Sequence, residues 1–496
     1  NLIGKVNNKV NITASWDAMD GATAYTIEFY KENPNCEGTP IVSETIENTE
    51  FTQENLDGET EYTIRVKSIA EGLNDSKWTV ITRSTEVTEQ IFKTIEDTDV
   101  ADKTVTVKWD VNAVINGSKT VKELQLSWTD EEKKTQKTTV PISTDEASAG
   151  QKVLSELLPS TTYEIKIKND EGKTLGVKTF TTKADLTKVT QVHSGDDLIA
   201  VLNAAKEGDY IAIMDNAEYI IYAEGDEDKT YTLDKSLTIS GYYSSNRPTI
   251  KGGITIAAAI KSLELSNVIF KGEDKAGGLL IMGTSPAEIE TCKINGCDIS
   301  NYKNSIISNE TKVNIGTITI QNSIANNIGR DVIDIRGGKL KSIEVSACTF
   351  NNTARTFLRN NSDAIATVSF IQCTFYKTCH LDNKDNNGLF LMDKTTDNSE
   401  LIVKQCLFSN IGIEKLGDNK YVGTWTRNDK MKASETYADN YYYDSPNLWT
   451  NSKYAKDHAK VATEKDPQFA NAANGDFTVG NKDLAGNEIG DPRWIK

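Results

Sequence analysis

The sequence predicts an all-β protein, in which two β-sandwiches precede a right-handed parallel β-helix with a short N-terminal capping helix. Three observations lead to this fold class. Roughly the first 180 residues alternate apolar and polar side chains in short runs between turns, as half-buried strands do. Beyond about residue 260 a pattern repeats at steps close to 25, the scale of a solenoid rung. One amphipathic helix separates the two regions.

Length and charge set the limits within which a function can be sought. With 496 residues the chain is too long for one core, and a net charge of −17 makes nucleic acid an unsuitable partner. The same charge opposes long-range attraction of a polyanionic glycan unless a basic patch or bound cations reverse the local field. The seven cysteines are odd in number and lack CxxC spacing, which favours packing over disulfides or zinc.

The first strands occur in two similar copies. In each copy a Leu, a turn and a Tyr that opens a strand follow one another, with Leu56 and Tyr62 in the first copy and Leu157 and Tyr163 in the second. This order is typical of a tyrosine corner, in which the phenol bonds back to the preceding turn. Each copy therefore predicts one β-sandwich.

The two copies resemble fibronectin type III modules. Trp16 and Trp109 match the early core tryptophan of that family, and Tyr62 and Tyr163 match its corner tyrosine. The resemblance implies domains over residues 1–86 and 87–184 that act as spacers or interaction platforms. A fold of this kind does not by itself specify a function.

The third predicted domain spans residues 185–496. Residues 194–197 have the form of a capping box, and Leu198, Val201, Leu202 and Ala205 follow at helical spacing before a strand at 208–214. This order resembles the N-terminal cap of pectate-lyase-like β-helices, which shields an open strand edge. We expect the cap and rungs over 185–415 and a late rung with a C-terminal cap over 416–496.

Five segments carry the rung pattern, starting at Cys297, Asn322, Cys348, Cys373 and Cys406, with steps of 25, 26, 25 and 33 residues. Because alternate residues of a strand share a face, the four cysteines should stack as packing residues. Two further columns are expected at Ile299, Ile324, Phe350, Phe375 and Phe408, and, as an amide ladder, at Asn301, Asn326, Asn352 and Asn410.

Charged residues recur near the second strand of the central rungs. The basic ones are Arg330, Arg336, Arg355, Arg359, His380 and Lys384, and the interleaved acids are Asp331, Asp334, Asp382, Asp385 and Asp393. Two interpretations stay open. The charges either form solvated salt-bridge ladders between rungs, or they form a carbohydrate site in which arginines one rung apart, about 4.8 Å, meet acidic groups of a polymer. For the second interpretation the ligand-binding candidates are Arg330, Arg336, Arg355 and Arg359.

A polysaccharide lyase would need a base beside a uronate carboxyl and a cation or basic group that neutralises the carboxylate. Candidates for the base and clamp are Arg355, Arg359, His380 and Lys384. No cofactor follows from the sequence with certainty, but Asn309, Glu310 and Asp393 offer oxygen ligands that Ca²⁺ prefers. A glycosidase would need paired carboxylates. Asp331 and Asp334 are the candidates for such a pair, without a hydrolase motif around them.

Aromatic residues cluster after the regular repeat ends, at Tyr421, Trp425, Tyr437, Tyr441, Tyr442, Tyr443 and Trp449. They either plug the open end of the solenoid or form a platform on which sugar rings stack. For the second case the ligand-binding candidates are Trp425 and Trp449.

The ending at 466–494, an entry rung at 248–253 and the tandem modules together resemble pectate-lyase-like β-helix lipoproteins of glycan-utilisation loci in gut Gram-negative bacteria. This resemblance implies a monomer exported to the outer-membrane surface or beyond. Its only membrane contact would be an N-terminal lipid anchor, removed ahead of Asn1 together with the export signal. We expect a surface polysaccharide-binding or polysaccharide-handling protein. A lyase of an acidic, uronate-containing glycan is the alternative, and a non-catalytic structural or adhesive module is the third possibility.

Overall fold

The computed structural model describes residues 2–112, 120–130, 132–272, 277–283, 288–362, 366–379, 388–392, 399–412, 424–426, 433–450, 455–457 and 465–495. The chain divides into two compact units, Asn1–Asp185 and Leu186–Lys496. Within the described residues, no helix combines the length and the apolar character needed to cross a bilayer.

The first unit begins with a sandwich of two antiparallel sheets. Its strands are β1 (Leu2–Asn7), β2 (Asn11–Trp16), β3 (Ala24–Lys31), β4 (Val42–Ile46), β5 (Glu50–Gln53), β6 (Glu61–Ile69) and β7 (Thr79–Ser84). One sheet has the order β1-β2-β5 and the other β4-β3-β6-β7. Ile12, Ile27, Phe29 and Ile64 are fully buried between them, because they occupy the alternate, inward positions of their strands.

The second sandwich repeats this plan. Its elements are a 3-10 helix (Asp97–Asp99), β8 (Val105–Lys108), β9 (Glu123–Thr129), β10 (Thr135–Pro141), α1 (Thr144–Ala149), β11 (Gln151–Leu154), β12 (Thr162–Lys168) and β13 (Thr174–Thr181). The sheets have the orders β10-β9-β12-β13 and β11-β8. Trp109 is 1% exposed in this core, whereas Trp16 is half-buried at the edge of the first.

Both predicted tyrosine corners are present. The phenol oxygen of Tyr62 accepts a hydrogen bond from the Asp57 N–H at 3.0 Å, and that of Tyr163 accepts one from the Leu158 N–H at 2.8 Å. Together with the two-sheet orders, these bonds confirm two fibronectin type III-like sandwiches.

We expect Tyr62→Phe to speed hydrogen exchange of the Asp57 amide by roughly fivefold, because a net hydrogen bond is worth about 1 kcal/mol. Exchange measured by NMR or mass spectrometry in the whole protein checks this. The Leu158 amide is the internal control, since its acceptor Tyr163 is untouched. Equal acceleration at both amides would mean that the variant loosens the unit globally rather than at the corner.

The second unit opens with strand β14 (Thr190–Val192) and helix α2 (Leu198–Ala204), which buries Leu198 and Leu202. The predicted helix is confirmed, but its cap differs from the expectation. Asp197, not Ser194, is the N-cap residue, and its carboxylate accepts from the Ala200 N–H at 3.1 Å. A carboxylate directly before the helix satisfies an otherwise free backbone donor.

The following strands wind into repeated rungs. The first four rungs are β15 (Asp209–Ile213), β16 (Glu218–Ile220), β17 (Thr230–Leu233), β18 (Leu237–Gly241), β19 (Thr249–Lys251), β20 (Gly253–Ile256), β21 (Ile260–Ser266), β22 (Ile269–Lys271), β23 (Gly278–Met282), β24 (Glu288–Asn295), β25 (Asp298–Tyr302) and β26 (Ser305–Asn309). The later ones are β27 (Asn314–Gln321), β28 (Ile324–Ile328), β29 (Ile333–Ile335), β30 (Leu340–Ser346), β31 (Thr349–Thr353), β32 (Leu358–Asn360), β33 (Thr367–Ile371), β34 (Thr374–Tyr376), β35 (Gly388–Leu391), β36 (Glu400–Lys404), β37 (Leu407–Ser409), β38 (Thr424–Thr426), β39 (Ser434–Ala438) and β40 (Tyr441–Tyr443).

These strands form three parallel sheets. The first has ten strands, β14-β15-β18-β21-β24-β27-β30-β33-β36-β39; the second has nine, β16-β19-β22-β25-β28-β31-β34-β37-β40; and the third has eight, β17-β20-β23-β26-β29-β32-β35-β38. Each complete rung thus gives one strand to each sheet, and every third strand is a neighbour. This topology confirms the predicted parallel β-helix.

The register corrects one predicted column. Ile299 pairs with Ala325, not with Ile324, and Ala325 continues into Phe350 and Phe375. The step from Cys297 to the equivalent residue, Ser323, is therefore 323 − 297 = 26 rather than 25. Because strand side chains alternate with period two, this single extra residue turns Ile324 to the outer face.

The cysteine column packs as expected. Cys297, Cys348, Cys373 and Cys406 are all 0% exposed free thiols, with Ser323 filling the fifth place. Burial raises the pKa of Cys297 and Cys348 to about 12, and their Sγ atoms donate to backbone carbonyls at 3.5 Å and 3.1 Å. Thiols in this state are unreactive and act as compact apolar residues.

The amide ladder shares the same shift of one residue. The Nδ2 atom of Asn327 donates to Oδ1 of Asn301 at 3.1 Å, and Asn352 continues the ladder above Asn327. Asn326 belongs instead to the neighbouring outer column, where it accepts from Asn351 at 3.1 Å. Asn301, Asn327 and Asn352 have φ of +61°, +56° and +54°, a conformation that asparagine tolerates well.

The last described segment contains α3 (Asn447–Thr450), β41 (Phe469–Asn471), a 3-10 helix (Ala472–Asn474), β42 (Asp476–Val479), α4 (Lys482–Gly486) and a 3-10 helix (Pro492–Trp494). Residues 465–495, named here the C-terminal cover, pack on the outer face of the second sheet, where Leu484 and Ile489 bury Leu407. Oγ1 of Thr349 donates to Asp491 and accepts from Trp494 Nε1, both at 2.8 Å. The sequence predicts an end cap, but this part of the chain covers a side.

Candidate functional site

The outer face of the third sheet carries a row of polar side chains. Ser308 in β26, Asp334 in β29 and Arg359 in β32 are direct neighbours in the parallel register. Their flanking residues Ile333 and Leu358 point into the core and are fully buried. The alternation of strand side chains therefore puts one polar group per rung on this face, about 4.8 Å apart.

Ion pairs join three arginines and three acids across successive rungs. Arg336 Nη2 lies 2.7 Å from Asp334 Oδ2 and 2.9 Å from Glu310 Oε1. Arg359 Nη1 lies 3.7 Å from Asp334 Oδ1 and 3.3 Å from Asp331 Oδ2. Arg355 Nε is 3.7 Å from Asp331 Oδ1. We call these six residues the charged ladder.

The two ends of the charged ladder differ in exposure, and Asp334 in its middle is only 4% exposed. The side chains of Glu310 and Arg336 are 49% and 30% exposed, Arg359 is 14% exposed, and Arg355 and Asp331 are 7% and 1% exposed. The hydrogen bonds that Arg336 donates to Asp334, followed by the charges of Asp334 and nearby acids, raise the pKa of Arg336. The Glu310–Arg336 end is therefore the part of the ladder that a ligand in solution reaches first.

The structure brings several predicted residues together. Arg336 and Arg359 lie on the same side of the β-helix, because both contact the carboxylate of Asp334. We call this outer face of the third sheet the wall. Arg355 belongs to the same ladder but is buried, which corrects its expected exposure and leaves its role as base or ligand contact a prediction. Arg330 is half-buried in the turn before β29 and donates its backbone N–H to Asn304 O at 2.9 Å. His380, Lys384 and Asp393 lie outside the described residues, as do Asp382 and Asp385.

The oxygen ligands proposed for Ca²⁺ do not converge in the described part of the chain. Asn309 is fully buried, and its amide accepts from the Val313 N–H and donates to the Val313 and Gly337 carbonyls. Glu310 is paired with Arg336. Within the described ranges no group of three or more His, Cys, Asp or Glu residues is arranged to hold a metal ion. Asn309 is thus a structural amide inside the solenoid, a correction of its expected position.

The aromatic candidates lie at the last strands instead of on the wall. Trp425 is 0% exposed and packs against Phe390, Phe408 and Tyr442, which corrects its expected exposure. Trp449 is half-buried, with its ring 4.8 Å from Tyr442 and its Nε1 donating to the Lys456 carbonyl at 3.1 Å. These contacts agree with a plug of the solenoid end, and a sugar contact of Trp449 stays a prediction.

Sequence reasoning missed Ser308 as a wall residue. The serine stands one position before Asn309 in β26, and only the register shows that it is the neighbour of Asp334. A signal was present, since Ser308 and Asp334 both follow a buried isoleucine in equivalent strands. The step from Ser308 to Asp334 is 334 − 308 = 26 residues, so a regular step of 25 points to Asn309 instead of Ser308.

The fold and this wall define a parallel β-helix protein that carries sandwich modules. Residues 226–354 match a family model described as Domain of unknown function (DUF4957), and residues 343–494 match one described as Domain of unknown function (DUF5123). The charged ladder extends from the first of these regions into the second. No curated protein matches the chain.

Two solved structures resemble part of the chain. A two fibronectin type III domain segment from chicken tenascin is 19% identical, covers 37% of this chain and 98% of its own, and has a TM-score of 0.20. The FN1–FN3 domains of chicken CNTN1 are 16% identical, cover 37% of this chain and 66% of their own, and have a TM-score of 0.16.

Proposed function

We propose that the β-helix binds a polysaccharide chain along the outer face of its third sheet. The observation that carries the proposal is the charged ladder, which holds hydrogen-bond donors and acceptors rigidly in place on successive rungs. Preorganised polar groups reduce the entropy cost of binding a flexible polymer. A straight wall with a repeat of about 4.8 Å suits an extended chain.

We further propose that the protein acts outside the cell, at the outer-membrane surface, as a monomer. Tandem fibronectin type III-like modules ahead of a binding domain support this arrangement, since such modules commonly serve as spacers. The proposed partner is the polysaccharide itself.

Electrophoresis of the whole protein through gels containing single polysaccharides tests the proposal. We expect at least one polysaccharide to retard the protein. Arg336→Ala should weaken this retardation about tenfold or more, because a hydrogen bond from a charged donor is lost. Ser308→Tyr should weaken it too, by placing a bulky ring on the wall without removing a charge from the ladder.

Thr319→Tyr is the matched control, since Thr319 is also half-buried in a strand but lies on the first sheet. Retardation should be unchanged in this variant. Loss of binding in Thr319→Tyr but not in Ser308→Tyr would move the site to the first sheet and contradict the assignment. Release of unsaturated uronides, followed by ultraviolet absorbance, would instead indicate the lyase alternative.

A further inference from the structure

The charged ladder is electrically balanced. Arg336, Arg355 and Arg359 carry three positive charges, and Glu310, Asp331 and Asp334 carry three negative ones. Including Arg330 leaves a surplus of one positive charge, against −17 for the whole chain. Among the described residues, the charged ladder itself is therefore not the basic patch that would overcome repulsion of a polyanion.

Each arginine of the charged ladder already forms an ion pair with a carboxylate. Arg336 Nε lies 3.0 Å and Nη2 2.7 Å from Asp334 Oδ2, a fork-like contact, while Glu310 takes a further contact at Nη2. A uronate or sulfate group would have to displace these partners to gain a bidentate bond of its own. Displacement would leave Asp334, which is 4% exposed, as a poorly compensated buried charge.

A neutral sugar can bind to Glu310 and Arg336 without displacing the carboxylates that already pair with the arginines. A hydroxyl both donates and accepts, so that one of two neighbouring hydroxyls can donate to Glu310 Oε1 while the other accepts from the Arg336 guanidinium. These two protein groups are 2.9 Å apart and are the most exposed of the ladder. We propose that the ligand is a neutral polysaccharide, bound through vicinal hydroxyls at Glu310 and Arg336; this inference rests on the proposed function.

Gel retardation with a panel of neutral and acidic polysaccharides, at low and at raised salt, tests the inference. The wild-type protein should be retarded by a neutral polysaccharide with little salt dependence and not by pectin, alginate or glycosaminoglycans. Glu310→Gln should weaken retention on the neutral polymer about tenfold, through loss of a charged acceptor. The same variant should gain measurable retention on acidic polymers, because it gives the ladder a positive surplus.

Glu264→Gln is the matched control. Glu264 is 35% exposed and pairs with Lys293 at 3.0 Å in adjacent strands of the first sheet, so the chemical change is the same on another face. Retention should not change in this variant. Binding only to acidic polymers, with strong salt dependence, would overturn the neutral ligand but leave polysaccharide binding intact. Neutral binding that Glu310→Gln does not weaken would overturn the role of Glu310. Failure of every polysaccharide to retard the protein would overturn the proposed function and this inference together.

Discussion

Replacing Asp331 with alanine should destabilise the β-helix by about 3–5 kcal/mol, the usual cost of removing one partner from a buried ion pair. The carboxylate is 1% exposed and lies between Arg355 and Arg359. Without it, the 7% exposed guanidinium of Arg355 keeps its desolvation cost and loses the nearby charge of Asp331. The thermal transition of the β-helix, followed by calorimetry, measures the effect.

Asp298→Ala is the control, because Asp298 also pairs with an arginine but at the surface. Its carboxylate is 34% exposed and lies 2.6 Å from Arg247. The loss there should be about 1 kcal/mol or less. A second variant, Asp331→Leu with Arg355→Met, should recover part of the lost stability, since it removes the more deeply buried guanidinium together with its partner while Arg359 still pairs with Asp334 at 3.7 Å. An Asp331→Ala transition as mildly shifted as that of Asp298→Ala would show that the ladder does not depend on this carboxylate.

The aromatic column should be equally sensitive to truncation. Phe375 is 0% exposed, with its ring 4.6 Å from Phe408 at an interplanar angle of 5° and 5.4 Å from Phe350. Phe375→Ala should therefore cost about 3–5 kcal/mol, because the rungs above and below cannot close the cavity. Since each rung contacts only its neighbours, loss of hydrogen-exchange protection should be largest in β31 and β37.

Ile371→Ala, in the strand that precedes Phe375, is the matched control. Its side chain points outward and is 37% exposed, so its removal should change stability by about 0.5 kcal/mol or less. Similar losses for the two variants would contradict the assignment of Phe375 to the structural column of the solenoid.

Much of the architecture could be predicted because it is periodic. The Cys-x-Phe spacing at Cys348, Cys373 and Cys406 fixes which side chains stack, and the Leu-turn-Tyr order fixes both sandwich corners. Errors began where the period changed by a single residue, after Cys297. Side chains of a strand alternate between its two faces, so an error of one residue assigns every side chain to the wrong face. Ile324 and Asn326 were therefore predicted in columns that Ala325 and Asn327 occupy.

The candidate wall could be predicted only in outline. Residues about 25 apart became neighbours across rungs, and this brought Asp334 and Arg359 together. The sequence could not give the burial of Arg355 and Trp425, which depends on side chains packed around them from other rungs. Nor could it place the C-terminal cover, whose contacts with Thr349 span more than 140 residues.

The sequence by itself determined the class of fold and the order of its parts, because the spacing of apolar residues encodes strand faces and rung length locally. Tertiary structure alone decided which charges neutralise one another and which stay within reach of solvent. Those properties depend on distances of a few ångströms between separate rungs, and one inserted residue is enough to change them.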